Sequence, residues 1–317
     1  LTPDGRDKIV GMASDAARIL VLPAGGRPWL ADAVRAGGGE PVTEGPAGAV
    51  VWTDPKDAAG LRRLLDDRSE IDWVQLPWAG IEPYVEVLDH DRRWTCGKGV
   101  YADPVAEQAL MLALAGVRGM GTYARATTWE RPIGHNLLGA RVVVVGGGGI
   151  SGSLVRLLQP FRCEIVVVRR TDQPFPGATR TVTLDRLDDE LPAADLVVLA
   201  VALTPETEGL FDGRRLRKLP SHAWLVNVAR GRHVVTEDLV EVLQEDAIGG
   251  AGLDVVDPEP LPDGHPLWTL PNCFITPHVG NTPEMAVPLL SARVQENVRR
   301  YLAGEDLLGP VDVDAGY

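Results

Sequence analysis

The stretch from Arg141 to Leu158, RVVVVGGGGISGSLVRLL, restricts what this chain can fold into more than any other. Val142 to Val145 are four β-branched residues in a row, which suit a strand buried on both faces. Gly146 to Gly149 let the backbone turn sharply and approach another group with no Cβ in the way. Ser153 to Leu158 then resume with the apolar spacing of a helix. Strand, glycine turn and helix start together make a place for a pyrophosphate, because the first helical N–H groups have no partners of their own. A tight turn in an ordinary α/β protein uses similar residues, but the strand-to-helix context favours a nucleotide. Two phases fit the pattern. Gly147, Gly149 and Gly152 satisfy the spacing literally. Gly146, Gly148 and Ser151 instead place Gly146 directly after the strand and let Ile150 point into the core. In that register the third position, needed for close helix–strand packing, is a serine.

A length of 317 residues is more natural for two domains than for one. With 45% hydrophobic and 24% charged residues, disorder is excluded. A net charge of −13 argues against a nucleic-acid or anionic-membrane surface. The three cysteines, Cys96, Cys163 and Cys273, are odd in number and widely spaced. They read as reduced thiols of a cytoplasmic protein, without metal-ligand spacing. Leu1 to Gly11 is polar and charged, unlike a secretory or transit signal. The longest apolar run, Ala109 to Val117, is half a membrane span and predicts a buried helix.

Along the chain, strands are predicted at Arg18–Leu22, Ala49–Trp52 and Ile71–Leu76, with helices at Pro28–Ala36 and Pro55–Leu65 between them. That βαβαβ beginning implies a parallel sheet. The loop after the last of these strands is Pro77-Trp78-Ala79-Gly80-Ile81, and loops at the carboxyl ends of parallel strands are where such sheets bind ligands. A short strand near Trp94 precedes a long helix from Val105 to about Ala124, started by Asp103 and Pro104. After the glycine turn come strands at Glu164–Val168, Ala194–Leu199, Ala223–Val228, Gly250–Val255 and Cys273–Thr276. A last helix from Pro283 to Leu302 is long enough to return the chain to the first domain.

Three strand ends of the second half carry polar groups with chemistry. Arg230, beside Gly231, offers a planar fork to a carboxylate. Glu259 is stiffened by Pro258 and Pro260. His278, between Pro277 and Val279-Gly280, can act as acid or base near neutral pH. Singly, each has a bland reading: a solvent-facing arginine, an exposed Pro-Glu-Pro turn, a structural histidine. In a parallel sheet all three share the edge of the glycine turn, and hydride transfer to a 2-oxo acid needs this set. The arginine grips the carboxylate and polarises the oxo group, the histidine supplies the proton, and the carboxylate orients the histidine.

At this point the residues resemble the D-isomer-specific 2-hydroxyacid dehydrogenases over nearly the whole chain. The stretches that carry the resemblance are Val145-Gly146 to Ser151, Leu203-Thr204-Pro205-Glu206-Thr207, Asn227 to Gly231, and Leu253-Asp254-Val255. They continue through Pro258-Glu259-Pro260-Leu261, Pro266-Leu267-Trp268 and Thr276-Pro277-His278. Gly139, in a Leu-x-Gly lead seven residues before Gly146, favours the register with Ser151. The resemblance implies two Rossmann-like or flavodoxin-like parallel-sheet α/β domains with a cleft between them. A discontinuous substrate domain would comprise 1–103 and 286–317, and a nicotinamide-nucleotide domain 104–285. It implies Arg230, Glu259 and His278 as catalytic residues, and Ala79, Gly80 and Ile81 as backbone donors to the substrate carboxylate. Gly146, Gly148, Gly149, Ile150, Ser151, Leu203, Thr204, Pro205, Val228, Asp254 and Gly280 would bind the cofactor, with Asp254 at the nicotinamide amide. It also implies a homodimer, with the segment from Arg118 to Gly139 as the candidate arm.

One departure bears on the cofactor. Members that prefer NAD have an acidic residue at the end of the second strand, bonded to the ribose hydroxyls. Here that place holds Arg169, Arg170 and Thr171. Two guanidinium groups favour a 2′-phosphate, so NADP(H) is expected to be preferred over NAD(H). The expected activity is reduction of a small 2-oxo acid, as in the glyoxylate and hydroxypyruvate reductases. The alternative is a nucleotide-sensing, partner-binding protein like the co-repressors that share the fold. Formate oxidation is disfavoured because such enzymes replace the carboxylate partner by glutamine, and a phosphoglycerate dehydrogenase because only 15 residues follow Leu302. Trp78, beside the carboxylate-binding turn, reads either as a wall for an apolar or aromatic substrate group or as packing.

Overall fold

The computed structural model describes residues 17–314 and residue 316; the polar start Leu1 to Gly11 lies outside the described residues. The chain divides into two compact units, one of residues 1–101 and 283–317 and one of residues 102–282.

The second unit is built on the stretch from Arg141 to Leu158. Its seven strands are β6 (Arg141–Val145), β7 (Glu164–Arg169), β8 (Arg180–Thr183), β9 (Leu196–Leu199), β10 (Trp224–Asn227), β11 (Gly250–Leu253) and β12 (Cys273–Ile275). They form one sheet in the order β12-β11-β10-β9-β6-β7-β8, with every pair parallel. Alternate residues of the central strands feed two separate cores. Val143, Val145, Val197 and Leu199 face one, and Val142, Val144, Leu196 and Val198 face the other. That is why β6 has no polar position. Burying each of its valines contributes roughly 1.5–3 kcal/mol, which outweighs the ~0.5–1 kcal/mol each turn glycine loses in conformational freedom.

The first unit holds β1 (Arg18–Leu22), β2 (Glu40–Val42), β3 (Ala49–Trp52), β4 (Trp73–Gln75) and β5 (Arg93–Thr95), again all parallel, in the order β2-β1-β3-β4-β5. The helix Pro28–Ala36 starts on a proline at its first turn and ends at Gly37. The helix Ala58–Asp66 begins later than the expected Pro55, because the Asp57 side chain accepts a hydrogen bond from Gly60 N at 2.7 Å and caps it. The helix Pro283–Ala303 packs on Pro28–Ala36 in this unit, where Gly37 leaves room for Val298.

Two further differences from the sequence reading have plain causes. The long helix expected from Val105 to Ala124 is two: Ala102–Val117 and a short Met120–Arg125, broken at Gly119, whose φ of +67° lies outside helical space. The first of these is buried along one face only, through Ala106, Ala109, Leu112 and Ala113, while Met111 is exposed. Strands β2 and β8 were not expected. Both are sheet edges carrying Glu40 or Arg180 in place of an apolar run. Among the described residues no helix is long and apolar enough to cross a membrane, no cluster of side chains could hold a metal ion, and the three cysteines are free.

Candidate active site

In the second unit the direction of strand addition reverses between β6 and β9, so the loops leaving these strands diverge and open a crevice at the carboxyl edge. The glycine turn follows β6. Gly146 has φ +124°, and a Cβ there would stand 2.1 Å from Ala200 O, so only glycine lets β6 leave the sheet beside the end of β9. Gly148 faces open space, with no atom within 4 Å of a Cβ placed on it. It precedes the helix Gly149–Leu158, whose first turn has no side-chain cap and leaves its N–H groups available to an anion. Ser151 is fully buried and Gly146 directly follows the strand, so the phase Gly146, Gly148, Ser151 describes the turn.

Arg169 ends β7, and its aliphatic stem lies 3.1 Å from the position of a Gly147 Cβ, with its guanidinium 5.9 Å from the Phe175 ring. The cationic residue thus lies along the glycine turn itself, with Arg170 and Thr171 exposed beyond it. The loop after β9 is shaped by Thr207, whose hydroxyl accepts from Thr204 N at 2.8 Å and donates to Ala202 O at 2.7 Å. Leu203, Thr204 and Pro205 are thereby held in a compact turn beside the crevice.

The ends of β10, β11 and β12 carry the other expected residues. Buried Asn227 folds the turn after β10: its carbonyl accepts from Ala229 N at 3.0 Å and its amide donates to Arg230 O at 2.8 Å. Val228 is buried there, and Arg230 donates to Ala229 O at 2.8 Å. Gly231 is obligatory, since a Cβ would stand 1.9 Å from Val256 O in the loop after β11. Asp254 is 3% exposed, and its carboxylate is crowded with donors. It accepts from Thr276 Oγ1 at 2.6 Å, Val279 N at 3.0 Å, Gly280 N at 2.8 Å and Gln108 Nε2 at 3.3 Å. Asp254 therefore anchors the loop that presents His278.

His278 itself has φ +54°, a conformation that costs a non-glycine residue about 1–3 kcal/mol. Two bonds from its N–H, to Asp254 O and Thr276 O at 2.9 Å each, hold it there. In this pose Nδ1 donates to Glu259 Oε1 at 2.7 Å, which fixes the ring and leaves Nε2 outside the pair. The pair is half-exposed. One member of this edge escaped the sequence reading. His233, fully buried, points Nδ1 at Thr207 O (2.9 Å) and Nε2 at Val201 O (3.1 Å), tying the 201–207 loop to the Arg230 turn. Burial lowers its pKa, more strongly than the two carbonyls raise it.

In the first unit the turn Ala79-Gly80-Ile81 follows β4 at the carboxyl edge of that sheet. Trp78, read as a possible apolar wall, carries the Arg27 guanidinium 4.2 Å from its ring centroid and stands 6.4 Å from the Tyr101 ring.

A crevice at a strand-order reversal, a strand exit at Gly146 that admits no Cβ, an open helix start and a His–Glu pair suit a dinucleotide and proton transfer. Comparisons with known proteins agree. Residues 108–280 match the family model described as "D-isomer specific 2-hydroxyacid dehydrogenase, NAD binding domain". A protein of Corynebacterium melassecola, described as "Uncharacterized protein in proB 3′ region", is 38% identical over 255 residues, covering 78% of this chain and 84% of its own. The human "Glyoxylate reductase/hydroxypyruvate reductase" is 32% identical over 218 residues, 66% of each chain. A D-isomer-specific 2-hydroxyacid dehydrogenase of Xanthobacter autotrophicus Py2, solved with NADPH and MES, superposes with a TM-score of 0.81 at 26% identity. That match covers 95% of this chain and all of that one. The parallel sheets and the strand-end residues thus have one explanation: the chain belongs to the D-isomer-specific 2-hydroxyacid dehydrogenase family, oxidoreductases acting on CH–OH groups.

Proposed function

We propose that the protein reduces a small 2-oxo acid to the D-2-hydroxy acid with NADPH, reversibly. The observation that carries this reading is the 2.7 Å His278–Glu259 pair, set on the same sheet edge as Arg230 and the glycine turn. When bound, the nicotinamide nucleotide supplies the hydride to the carbonyl carbon. Nε2 of His278 delivers the proton to the carbonyl oxygen, and Glu259, accepting from Nδ1, holds the ring oriented for the transfer. The half-exposed ring then regains a proton from solvent. Arg230 polarises the oxo group and pairs with the carboxylate, which the N–H groups of Ala79, Gly80 and Ile81 also bind.

Residues 1–101 and 283–317 form the substrate unit in this reading, and 102–282 the cofactor unit. Gly146, Gly148, Gly149, Ile150 and Ser151 receive the pyrophosphate. Leu203, Thr204, Pro205 and Val228 line the nucleotide, while Asp254 and Gly280 frame the nicotinamide amide. Arg169, lying along Gly147, takes the 2′-phosphate with Arg170 and Thr171, so NADP(H) is preferred and NAD(H) is the poorer cofactor. A homodimer forms through the segment from Arg118 to Gly139. Its supports are fully exposed Trp129, the half-exposed Met120, Ile133 and Leu138, and an apolar groove of about 830 Å³ lined by Leu110, Met111, Leu114, Met120 and Tyr123. A cytoplasmic location belongs to this reading and is supported by the three free thiols among the described residues.

The test is a panel of 2-oxo acids, from glyoxylate and hydroxypyruvate to phenylpyruvate, assayed with NADPH and with NADH. Turnover with kcat/KM for NADPH at least ~10-fold above NADH is expected, the worth of one charge-assisted contact. A ratio at or below one overturns the cofactor assignment.

A further inference from the structure

The first unit has its own strand-order reversal. In the order β2-β1-β3-β4-β5 it falls between β1 and β3, so by the rule for open α/β sheets a ligand belongs outside the carboxyl ends of these two strands. The loop leaving β1 there is Pro23 to Arg27, and the residue leaving β3 is Thr53. Thr53 Oγ1 donates to Pro23 O at 2.8 Å and would stand 2.8 Å from a Cβ on Gly26, so the β1 loop is pinned against the end of β3. Arg27 then reaches across β3 to the exit of β4, donating to Pro77 O at 3.2 Å and stacking on Trp78. Its guanidinium is fixed one residue before the Ala79-Gly80-Ile81 turn.

This cation is costly where it stands. Arg27 is half-buried and its pKa is lowered by that burial, yet no carboxylate forms an ion pair with it among the described residues; Asp54 acts on it only at longer range. A single hydrogen bond to the Pro77 carbonyl leaves most of a guanidinium's donors for something else. Beside it Tyr101 is 8% exposed with a hydroxyl that has no partner among the described residues, an expensive arrangement unless a ligand completes it. The Tyr101 ring edge lies 3.2 Å from the position of a Gly97 Cβ, and that position is 3.1 Å from Ala79 N, so the phenol borders the turn itself. Burial pushes the phenol up to about 12, so it remains a donor. A second half-buried guanidinium, Arg293, donates to Cys96 O and Lys98 O from the other side and adds positive charge near Tyr101.

We propose that Arg27, with Tyr101, selects 2-oxo acids that carry a second anionic group at the far end, that is, 2-oxo dicarboxylates. The inference rests on the reading that the Ala79-Gly80-Ile81 turn holds the carboxylate common to all 2-oxo acids. Arg27 is then a specificity-determining residue, and Tyr101 supplies a further donor to the distal carboxylate.

The experiment compares kcat/KM at saturating NADPH for oxaloacetate and 2-oxoglutarate against pyruvate and phenylpyruvate. It uses the wild type, Arg27→Met, Arg27→Lys and Tyr101→Phe, with NADPH binding measured in each to show that the chain is folded. The wild type is expected to favour at least one dicarboxylate over pyruvate by ~10-fold or more. Arg27→Met should lower the dicarboxylate-to-pyruvate ratio ~10–100-fold, chiefly through KM. Arg27→Lys should restore part of the ratio, since it keeps the charge and loses the planar fork. Tyr101→Phe should lower it by a smaller factor. Equal losses on all four acids in Arg27→Met would overturn the proposal and make Arg27 a ligand of the common carboxylate. So would a wild type that prefers phenylpyruvate. Failure of the wild type to reduce any 2-oxo acid while binding NADPH would instead bring down the reductase reading, and the proposal with it.

Discussion

The carboxyl edges of the two sheets solve different problems. On the second sheet, the groups that hold the chemistry in place are bonded within the chain. Asp254 is met by four donors, Asn227 by a backbone N–H and a carbonyl, and His278 by Glu259. On the first sheet, Arg27 has one carbonyl and a ring face, and the Tyr101 hydroxyl has no partner among the described residues. A saturated edge is rigid and suits a proton transfer that tolerates little misplacement. An edge with unspent donors suits recognition, because the ligand completes it. Under the proposed function, proton transfer falls to the more fully bonded loops, and we assign substrate choice to the edge with capacity left.

Breaking the saturated edge should have the largest effect. In Asp254→Ala the N–H groups of Val279 and Gly280 and the Thr276 hydroxyl lose their acceptor. Each buried group left unpaired costs about 1–3 kcal/mol, so a total near 3 kcal/mol is expected after partial rehydration. Urea unfolding followed on the second unit's transition measures it, and a loss under about 1 kcal/mol would mean that the His278 loop is held by something else. Next comes Arg169→Ala, which should lower kcat/KM for NADPH about 10-fold and leave NADH within about 3-fold. Equal losses with both cofactors would reduce Arg169 to a packing role against Gly147 and Phe175.

The smallest effect is a slope. His233 has its pKa lowered in the folded protein from the ordinary 6.5. As pH falls below that ordinary value the unfolded chain takes up a proton that the folded chain does not, so stability falls until the lowered pKa is reached. Above both values the residue contributes no slope. One proton gives at most about 1.4 kcal/mol per pH unit. The difference in urea stability between neutral and mildly acidic buffer should therefore shrink in His233→Leu, and an unchanged slope would show that His233 is not the group responsible.

How much of this was legible in the chain depends on whether a signal is local. The glycine turn was legible because Val142 to Val145 are buried on both faces and Gly146 meets Ala200 O, so composition and position coincide. The loops that carry Arg230, Glu259 and His278 were legible because each begins where an apolar strand ends. Strands β2 and β8 were not, because an edge strand needs no apolar face. Gln108 sits mid-helix with nothing to mark it, and its partners Asp254 and Thr276 are far along the chain. His233 carried no signal either, since its bonds run to Val201 and Thr207, both far from it along the chain. Arg27 was hidden most completely. Next to it Pro28 marked only a helix start, and the significance of Arg27 depends on β1 lying next to β3 and on Trp78 receiving its guanidinium. Strand order is not written in any one segment.

The central claim is that the His278–Glu259 pair performs proton transfer in a working reductase. The most direct test is His278→Ala, with kcat on the best 2-oxo acid and the dissociation constant for NADPH measured in parallel. A fall in kcat on the order of 10² or more, with NADPH affinity within a few-fold of wild type, is the predicted result. Unchanged kcat, or a wild type that binds NADPH and turns over no 2-oxo acid, would contradict the account, the latter in favour of a nucleotide-sensing protein on the same fold.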